Sequence, residues 1–144
     1  WERRAISMGL AGRVKFFGMQ KDVRPFLWGA EALVLPSAYE TFSLVTFQAA
    51  GAGLPVLASR VYGVEDFLKD GTQGFFIERS SRGVAEGIQK FISLPQEERT
   101  KMGFRAKREV DAYSVGNFVE AWRKFFQEYW LQEQGFRKKE RVNG

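Results

Sequence analysis

Four short apolar runs in this sequence have the composition of buried β-strands. They lie at residues 14–17, 33–35, 56–58 and 75–77, and they are rich in β-branched and aromatic side chains. Gly18 and Pro36 end the first two runs. The second and third runs show no alternation of polar and apolar residues, which is typical of strands that are covered on both faces.

Between these runs, apolar residues recur at helical spacing. Residues 22–30 carry apolar side chains at Val23, Phe26, Leu27 and Ala30, and Asp22 is a suitable N-cap. Similar patterns predict helices over residues 43–52, 84–94 and 95–111, a last helix after Ser114, and the end of a further helix at residues 1–10. Gly53 is well placed to cap the helix over residues 43–52 in a left-handed conformation.

Strands and helices that alternate along a chain predict an α/β fold. We therefore expect a three-layer, Rossmann-like domain with a parallel sheet, formed by residues 1–136 and followed by a basic tail at 137–144. Because the sequence starts on a helical pattern, we also expect that the first strand of such a domain is missing from it.

The composition excludes several kinds of site. The 144 residues include no cysteine and no histidine, which rules out disulfides, Cys/His zinc sites and Ser-His or Cys-His catalytic pairs. We expect no metal site. No apolar run approaches the roughly 20 residues that span a bilayer, and no signal peptide opens the sequence. These features predict a cytoplasmic protein.

The net charge of +5 is concentrated at the end of the chain. The tail carries Arg137, Lys138, Lys139 and Arg141 against Glu140 alone, which is +3 of the total. This tail is either a solvated C-terminus or a peripheral contact with anionic lipid at the inner face of the membrane. The remaining +2 argues against a nucleic-acid partner.

The segment after the second apolar run has the composition of an anion site. In α/β sheets, ligands bind where strands end and helices begin. The N–H groups of Phe42, Ser43 and Leu44 are expected to be free at the start of a helix, where they suit a phosphate or diphosphate. Glu40 lies beside them and repels phosphate, so its natural partner is a hydroxyl group.

Several motifs occur together in an order and spacing that is known from one family. They are RVKFFG at 13–18, LVLPS at 33–37, ETFSL at 40–44, AAGAGLPV at 49–56, GV at 63–64 and DGTQG at 70–74. From about Gly9 to Tyr129 the sequence resembles the C-terminal, donor-binding domain of group 1 retaining glycosyltransferases of the GT-B fold.

The resemblance implies that the intact protein transfers a sugar, with retention, from a nucleotide-diphosphate donor such as a UDP-sugar to an acceptor hydroxyl. It implies no metal and no cofactor apart from the donor substrate. It also implies a separate N-terminal domain that binds the acceptor, which this sequence lacks. The alternatives are a non-catalytic nucleotide-sugar-binding or assembly module, or the donor subunit of a two-subunit transferase.

The family signature of two glutamates separated by seven residues also assigns roles. The first glutamate falls on Glu40, which is implied to contact the donor sugar as the catalytic residue, and the second falls on Gln48 at the ribose position. Ser43 replaces a family glycine. The implied donor-binding residues are Glu40, Thr41, Phe42, Ser43, Leu44 and Gln48, with the main chain of Met19 and Gln20 at the nucleobase.

Each of these residues also has a simpler interpretation. Glu40 would stabilise the helix that follows it through the helix dipole, which is worth about 0.3 to 1 kcal/mol. Gln48 would be an ordinary exposed amide, and Met19 and Gln20 would form a plain turn. The aromatic residues after Ser114 are expected in the core or at a domain interface.

Overall fold

The structure is a computed structural model that describes the backbone of residues 1–142 and the side chains of residues 1–130. The strands are β1 (Leu33–Leu35), β2 (Val56–Ala58) and β3 (Gly74–Phe76). The helices are α1 (Glu2–Ser7), α2 (Arg24–Trp28), α3 (Leu44–Gly51), α4 (Val64–Phe67), α5 (Ser81–Ile92), α6 (Gln96–Val110) and α7 (Val115–Val142), with a 3-10 turn at Asp111–Tyr113 before α7.

The three strands form one parallel sheet in the order β1-β2-β3. Leu33 lies opposite Val56, and Val56 lies opposite Gly74. All three residues of β2 are fully buried, because this strand has a hydrogen-bonded neighbour on each side. The Rossmann-like α/β fold with a parallel sheet is therefore confirmed.

Alternate residues of β2 supply two separate apolar clusters. Val56 and Ala58 pack with the apolar residues of α3 and α4, whereas Leu57 packs with Phe75 and with Phe91 of α5. This division follows from the two-residue period of a strand, which sends successive side chains to opposite faces. Helix α6 contributes to both clusters and so closes the core at one end.

The predicted strand at residues 14–17 is wrong. The segment makes a single isolated bridge, between Ala11 and Val14, and Phe16 and Phe17 are 46% and 56% exposed. Within the described part of the chain, no strand pairs with the outer edge of β1 and none lies beside residues 14–17. Apolar composition alone does not make a strand, because the backbone N–H and C=O groups need a hydrogen-bonded neighbour.

Several boundaries differ from the sequence pattern for local reasons. Helix α2 is shorter than residues 22–30, and Asp22 lies before it, where its carboxylate accepts hydrogen bonds from the side chain and backbone N–H of Arg24. These contacts lower the pKa of Asp22 to about 2. Helix α5 starts at Ser81 rather than residue 84, because the Ser80 hydroxyl caps it by accepting from the Gly83 N–H at 2.9 Å.

Two further elements differ from the sequence prediction. Strand β3 begins and ends one residue earlier than residues 75–77, and the short helix α4 was not predicted. The long helices α6 and α7 begin after Pro95 and Ser114, as the sequence pattern indicates. Gly53 follows α3 with a φ of +83°, as expected for its cap.

Helix α7 carries aromatic residues that do not join the core. Each is between 47% and 61% exposed, and four of them contact one another in a row. Of the two predicted positions, the core is therefore wrong for the described part of the chain, and the domain interface stays a prediction. The six residues are Phe118, Trp122, Phe125, Phe126, Tyr129 and Trp130. The predicted basic tail falls on residues whose side chains lie outside the described part.

Close contact between α6 and the turn after α3 makes Gly103 a sensitive position. A Cβ at Gly103 would overlap the carbonyl oxygen of Gly53, which is backbone and cannot rotate away. We expect Gly103→Ala to destabilise the fold by about 2 to 3 kcal/mol, measured by urea unfolding.

Gly116→Ala is the matched control, since a Cβ there meets nothing within 4 Å. It should leave stability unchanged or raise it by up to about 1 kcal/mol. Equal unfolding midpoints for the two variants would contradict this view of the α3–α6 contact.

Candidate functional site

Two loops meet at the carboxyl ends of β1 and β2. The N–H of Ser59 donates to the Leu35 carbonyl at 3.1 Å, and the Ser59 hydroxyl donates to the Ser37 carbonyl at 2.5 Å. Ser59 is 3% exposed, so both bonds are shielded from water. The residues that follow β1 are thereby tied to those that follow β2.

Helix α3 starts inside this junction. Ser43 is its N-cap and is 1% exposed, and its carbonyl accepts from the N–H and the hydroxyl of Thr46 at 3.0 and 2.7 Å. The Ser43 hydroxyl itself has no hydrogen-bond partner among the described residues. Buried hydroxyls are nearly always paired, so this one is an exception: a buried, unpaired polar group at the positive end of a helix.

A glycine leaves space beside the Ser43 amide. A Cβ at Gly63 would lie only 2.8 Å from the Ser43 nitrogen, and Gly63 has a φ of +84°, which side chains disfavour. Any other residue would therefore be strained and would crowd this amide. Gly63 precedes α4, so the short unpredicted helix positions a residue of the site.

One of the three amides that the sequence predicted to be free has a hydrogen-bond acceptor in the structure. The Leu44 N–H donates to the Phe42 carbonyl at 2.9 Å, because the chain bends sharply as it enters α3. The N–H groups of Phe42 and Ser43 donate to no acceptor in the described part of the chain. Two of the three amides therefore have no hydrogen-bond acceptor among the described residues, like the Ser43 hydroxyl.

Glu40 lies in the same loop and is half-buried. Its Oε1 accepts a hydrogen bond from the Ser37 hydroxyl at 2.7 Å. Its Oε2 takes part in no hydrogen bond with the residues whose side chains are described. The carboxylate therefore has one oxygen held by the protein and one available to a ligand.

Phe42 and Thr41 are exposed residues of this loop. The Phe42 ring stacks on Phe47 with centroids 4.7 Å apart, and Phe47 in turn meets the edge of the buried Phe67. This row of rings connects the loop to the core and limits its movement.

The other predicted site residues lie apart from the loop. Gln48 is exposed and lines a hollow of about 320 Å³ with Arg24 and Trp28 of α2, and none of residues 37–43 lines it. Met19 is fully exposed, and the Gln20 amide donates to the Phe17 carbonyl. Gln20 lines a second hollow, which shares Val23 and Leu27 with the first.

Sequence reasoning missed three residues of the site: Ser37, Ser59 and Gly63. Each is a small residue just after a predicted strand or before a helix, and the carboxyl ends of parallel strands are where such residues converge. For Ser37 and Ser59, the position just after a predicted strand was the signal that the sequence offered. The pairing of their side chains was not visible in the sequence.

A cation also lies near this edge of the sheet. The Arg60 guanidinium lies 3.9 Å from the Phe76 ring centroid and 3.4 Å from Glu65 Oε1. Both Arg60 and Arg79 line a cavity of about 370 Å³ next to Ser59. Asp70 and Glu78 line the same cavity, so its two arginines are matched by two carboxylates and it carries no net positive charge.

The described residues offer neither a metal-binding cluster nor a membrane-spanning helix. They contain no group of three or more acidic, histidine or cysteine side chains that could hold a metal ion. Among the helices in the described part of the chain, none is both long enough and apolar enough to cross a membrane.

Comparison with known proteins gives named relatives. The chain is 32% identical over 90 residues to the lipopolysaccharide core biosynthesis glycosyltransferase LpsE of Rhizobium meliloti. The aligned region covers 62% of this chain and 26% of LpsE. It is 30% identical over 115 residues to the D-inositol 3-phosphate glycosyltransferase of Streptomyces avermitilis, covering 78% of this chain and 25% of that protein. The chain therefore spans about a quarter of the length of these relatives.

Solved structures share the fold. Sucrose-phosphate synthase of Thermosynechococcus elongatus matches with a TM-score of 0.76 and 26% identity, over 91% of this chain and 35% of that one. HepE of Anabaena in complex with UDP matches with a TM-score of 0.79 over 88% of this chain and 35% of that one, and its 22% identity supports the fold alone.

A family model described as "Glycosyl transferases group 1" matches residues 1–109. This match covers most of the chain and includes the Glu40 loop, α3 and β2. The chain therefore belongs to the group 1 glycosyltransferases.

Proposed function

We propose that this chain binds the nucleotide-sugar donor in a retaining, metal-independent glycosyltransferase. The observation that carries the proposal is the junction at the carboxyl ends of β1 and β2. There, a carboxylate with one unpaired oxygen lies in the same loop as two unpaired amides and an unpaired, buried hydroxyl at the start of a helix. We take a UDP-sugar as the donor to test first, because HepE, which has the same fold, is solved in complex with UDP and with UDP and glucose.

The diphosphate would bind at the start of α3. The amides of Phe42 and Ser43 and the Ser43 hydroxyl can all donate to phosphate oxygens, and the helix dipole adds partial positive charge. During transfer the bond from the sugar to the diphosphate breaks, and the diphosphate takes both electrons. Donors fixed in advance around that oxygen lower the barrier because they need no reorganisation.

Glu40 would orient the sugar. Its carboxylate repels phosphate, so its open oxygen suits a sugar hydroxyl next to the diphosphate. A hydrogen bond from a neutral donor to a charged acceptor contributes about 1.5 to 3 kcal/mol, enough to hold the ring in one orientation. The acceptor oxygen then bonds to the anomeric carbon, and its proton passes to the departing diphosphate.

The nucleoside would extend from the diphosphate towards α2. Gln48 is exposed and can both donate to and accept from ribose hydroxyls. Thr41 and Leu44 flank the anion site, and the main chain at Met19 and Gln20 would meet the base. The two hollows that Gln48 and Gln20 line share Val23 and Leu27, which supports one continuous path for the ribose and the base.

The acceptor would bind on a second domain, as the family resemblance implies. The basic segment 137–144 is a further proposed contact, with an anionic membrane surface. A non-catalytic binding module, or the donor subunit of a two-subunit enzyme, is the second candidate. The replacement of the second family glutamate by Gln48 is the observation that favours it.

The buried hydroxyl of Ser43 gives a first test. Because that hydroxyl has no partner, Ser43→Ala should leave stability unchanged or raise it by about 1 kcal/mol in urea unfolding. The same variant should weaken UDP binding about three- to tenfold, since one phosphate donor is lost.

Thr46→Val is the control for this test. It removes a buried hydroxyl that does have a partner, the Ser43 carbonyl at 2.7 Å, and should destabilise the fold by about 1 kcal/mol. If Ser43→Ala destabilised the chain as much as this control, the idea of an open anion donor would fail.

Glu40 gives a test of catalysis. In a longer protein that contains this chain and the acceptor domain, Glu40→Ala should lower sugar transfer by about 10- to 100-fold or more, because the charged hydrogen bond to the sugar is lost. Glu86→Ala is the matched control, since Glu86 is an exposed carboxylate on α5 that pairs with Arg82. Near-normal turnover by Glu40→Ala would contradict the assignment.

The chain by itself should bind nucleotide weakly and transfer no sugar at a useful rate. The site is open on one side, and positioning of the acceptor can supply up to about 7 to 11 kcal/mol of the barrier. Calorimetry with UDP, GDP and ADP, together with a transfer assay, checks this expectation. Micromolar binding with multiple turnovers would show it to be wrong.

A further inference from the structure

We propose that Ser37 is a positioning residue for Glu40, and that Ser59 holds Ser37 in place. The structural feature is a chain of two hydrogen bonds, from the Ser59 hydroxyl to the Ser37 carbonyl and from the Ser37 hydroxyl to Glu40 Oε1. The inference rests on the proposed function, in which Glu40 contacts the donor sugar.

The first bond of this chain is anchored in the sheet. Ser59 is 3% exposed, and its N–H continues the β1–β2 pairing by donating to the Leu35 carbonyl at 3.1 Å. Its hydroxyl reaches the Ser37 carbonyl at 2.5 Å, two residues beyond β1. Ser37 therefore takes its position from the most buried strand of the domain.

The second bond selects the orientation of the carboxylate. The Ser37 hydroxyl has a single hydrogen, and it uses that hydrogen in the 2.7 Å hydrogen bond to Glu40 Oε1. Among the described side chains, Ser37 is the one donor to Glu40. Without it, the long Glu40 side chain would be free to rotate in its loop, and its open oxygen would lose its fixed direction.

This arrangement predicts a particular pattern of affinities. The single hydroxyl hydrogen of Ser37 is already used in the hydrogen bond to Glu40, so Ser37 has no hydrogen left to donate to the ligand. Its loss should affect the part of the donor that Glu40 contacts, which is the sugar, and should spare the nucleotide. A residue that merely supported the fold would affect both parts equally.

The experiment compares each nucleotide with its sugar derivative by NMR titration of the 144-residue chain. The probe pairs are UDP with UDP-glucose and GDP with GDP-mannose, and the pair that the wild-type chain binds is used. We expect Ser37→Ala to change the Kd for the nucleotide by less than about twofold and to raise the Kd for its sugar derivative about five- to tenfold.

Three further variants sharpen the comparison. Ser37→Thr keeps the hydroxyl and should restore most of the sugar affinity. Ser59→Ala should act in the same direction as Ser37→Ala but more weakly. Ser93→Ala is the matched control, because it removes a serine hydroxyl that donates to a backbone carbonyl at 2.8 Å at the end of α5, and it should change neither Kd.

A second measurement needs no ligand. The couplings between the α and β protons of Glu40 should indicate a single rotamer in the wild-type chain and averaged rotamers in Ser37→Ala. Unchanged couplings, or an equal loss of affinity for the nucleotide and its sugar derivative, would overturn the positioning role. If the couplings change as expected but the wild-type chain binds none of the four probes, the proposed function fails and the role of Ser37 in fixing Glu40 stands.

Discussion

The parallel pairing of β2 with both of its neighbours is the interaction on which the rest of the structure depends. Val56, Leu57 and Ala58 have no exposed surface, and the pairing continues past the strand ends through the Ser59 and Ile77 amides. Parallel strands all end at the same edge of a sheet. This pairing therefore brings the loops after β1 and β2 together and creates the site.

The site combines a stable frame with open polar groups. Ser59 and the carbonyl groups of Ser37 and Ser43 are satisfied within the protein, which keeps the loops in place. The Ser43 hydroxyl and Oε2 of Glu40 are not satisfied by the described residues, although Ser43 is almost fully buried. A buried polar group without a partner destabilises a fold, so its retention is understandable where a ligand completes it.

Two features of the described chain have no cover: the backbone edge of β1, with its unpaired N–H and C=O groups, and the apolar aromatic face of α7. Contiguous exposed apolar surface of this kind is uncommon on a soluble domain and normally contacts another element or another protein. The chain matches about a quarter of LpsE. Residues 14–17 do not form a strand because no described strand lies beside them, and a strand without a neighbour leaves its backbone unpaired.

The sequence by itself determined the elements whose signals are local. The apolar runs at 33–35 and 56–58 became strands, Gly53 capped α3, and Pro95 and Ser114 preceded long helices. It also placed Glu40 and Ser43 between a buried strand and the start of a helix, because that order of elements is visible in the order of residues. The tertiary structure alone decided that residues 14–17 stay irregular, that Leu44 uses its amide internally, and that Ser37 and Ser59 hold Glu40. These outcomes depend on contacts between residues far apart in the chain, and local composition carries no information about such contacts.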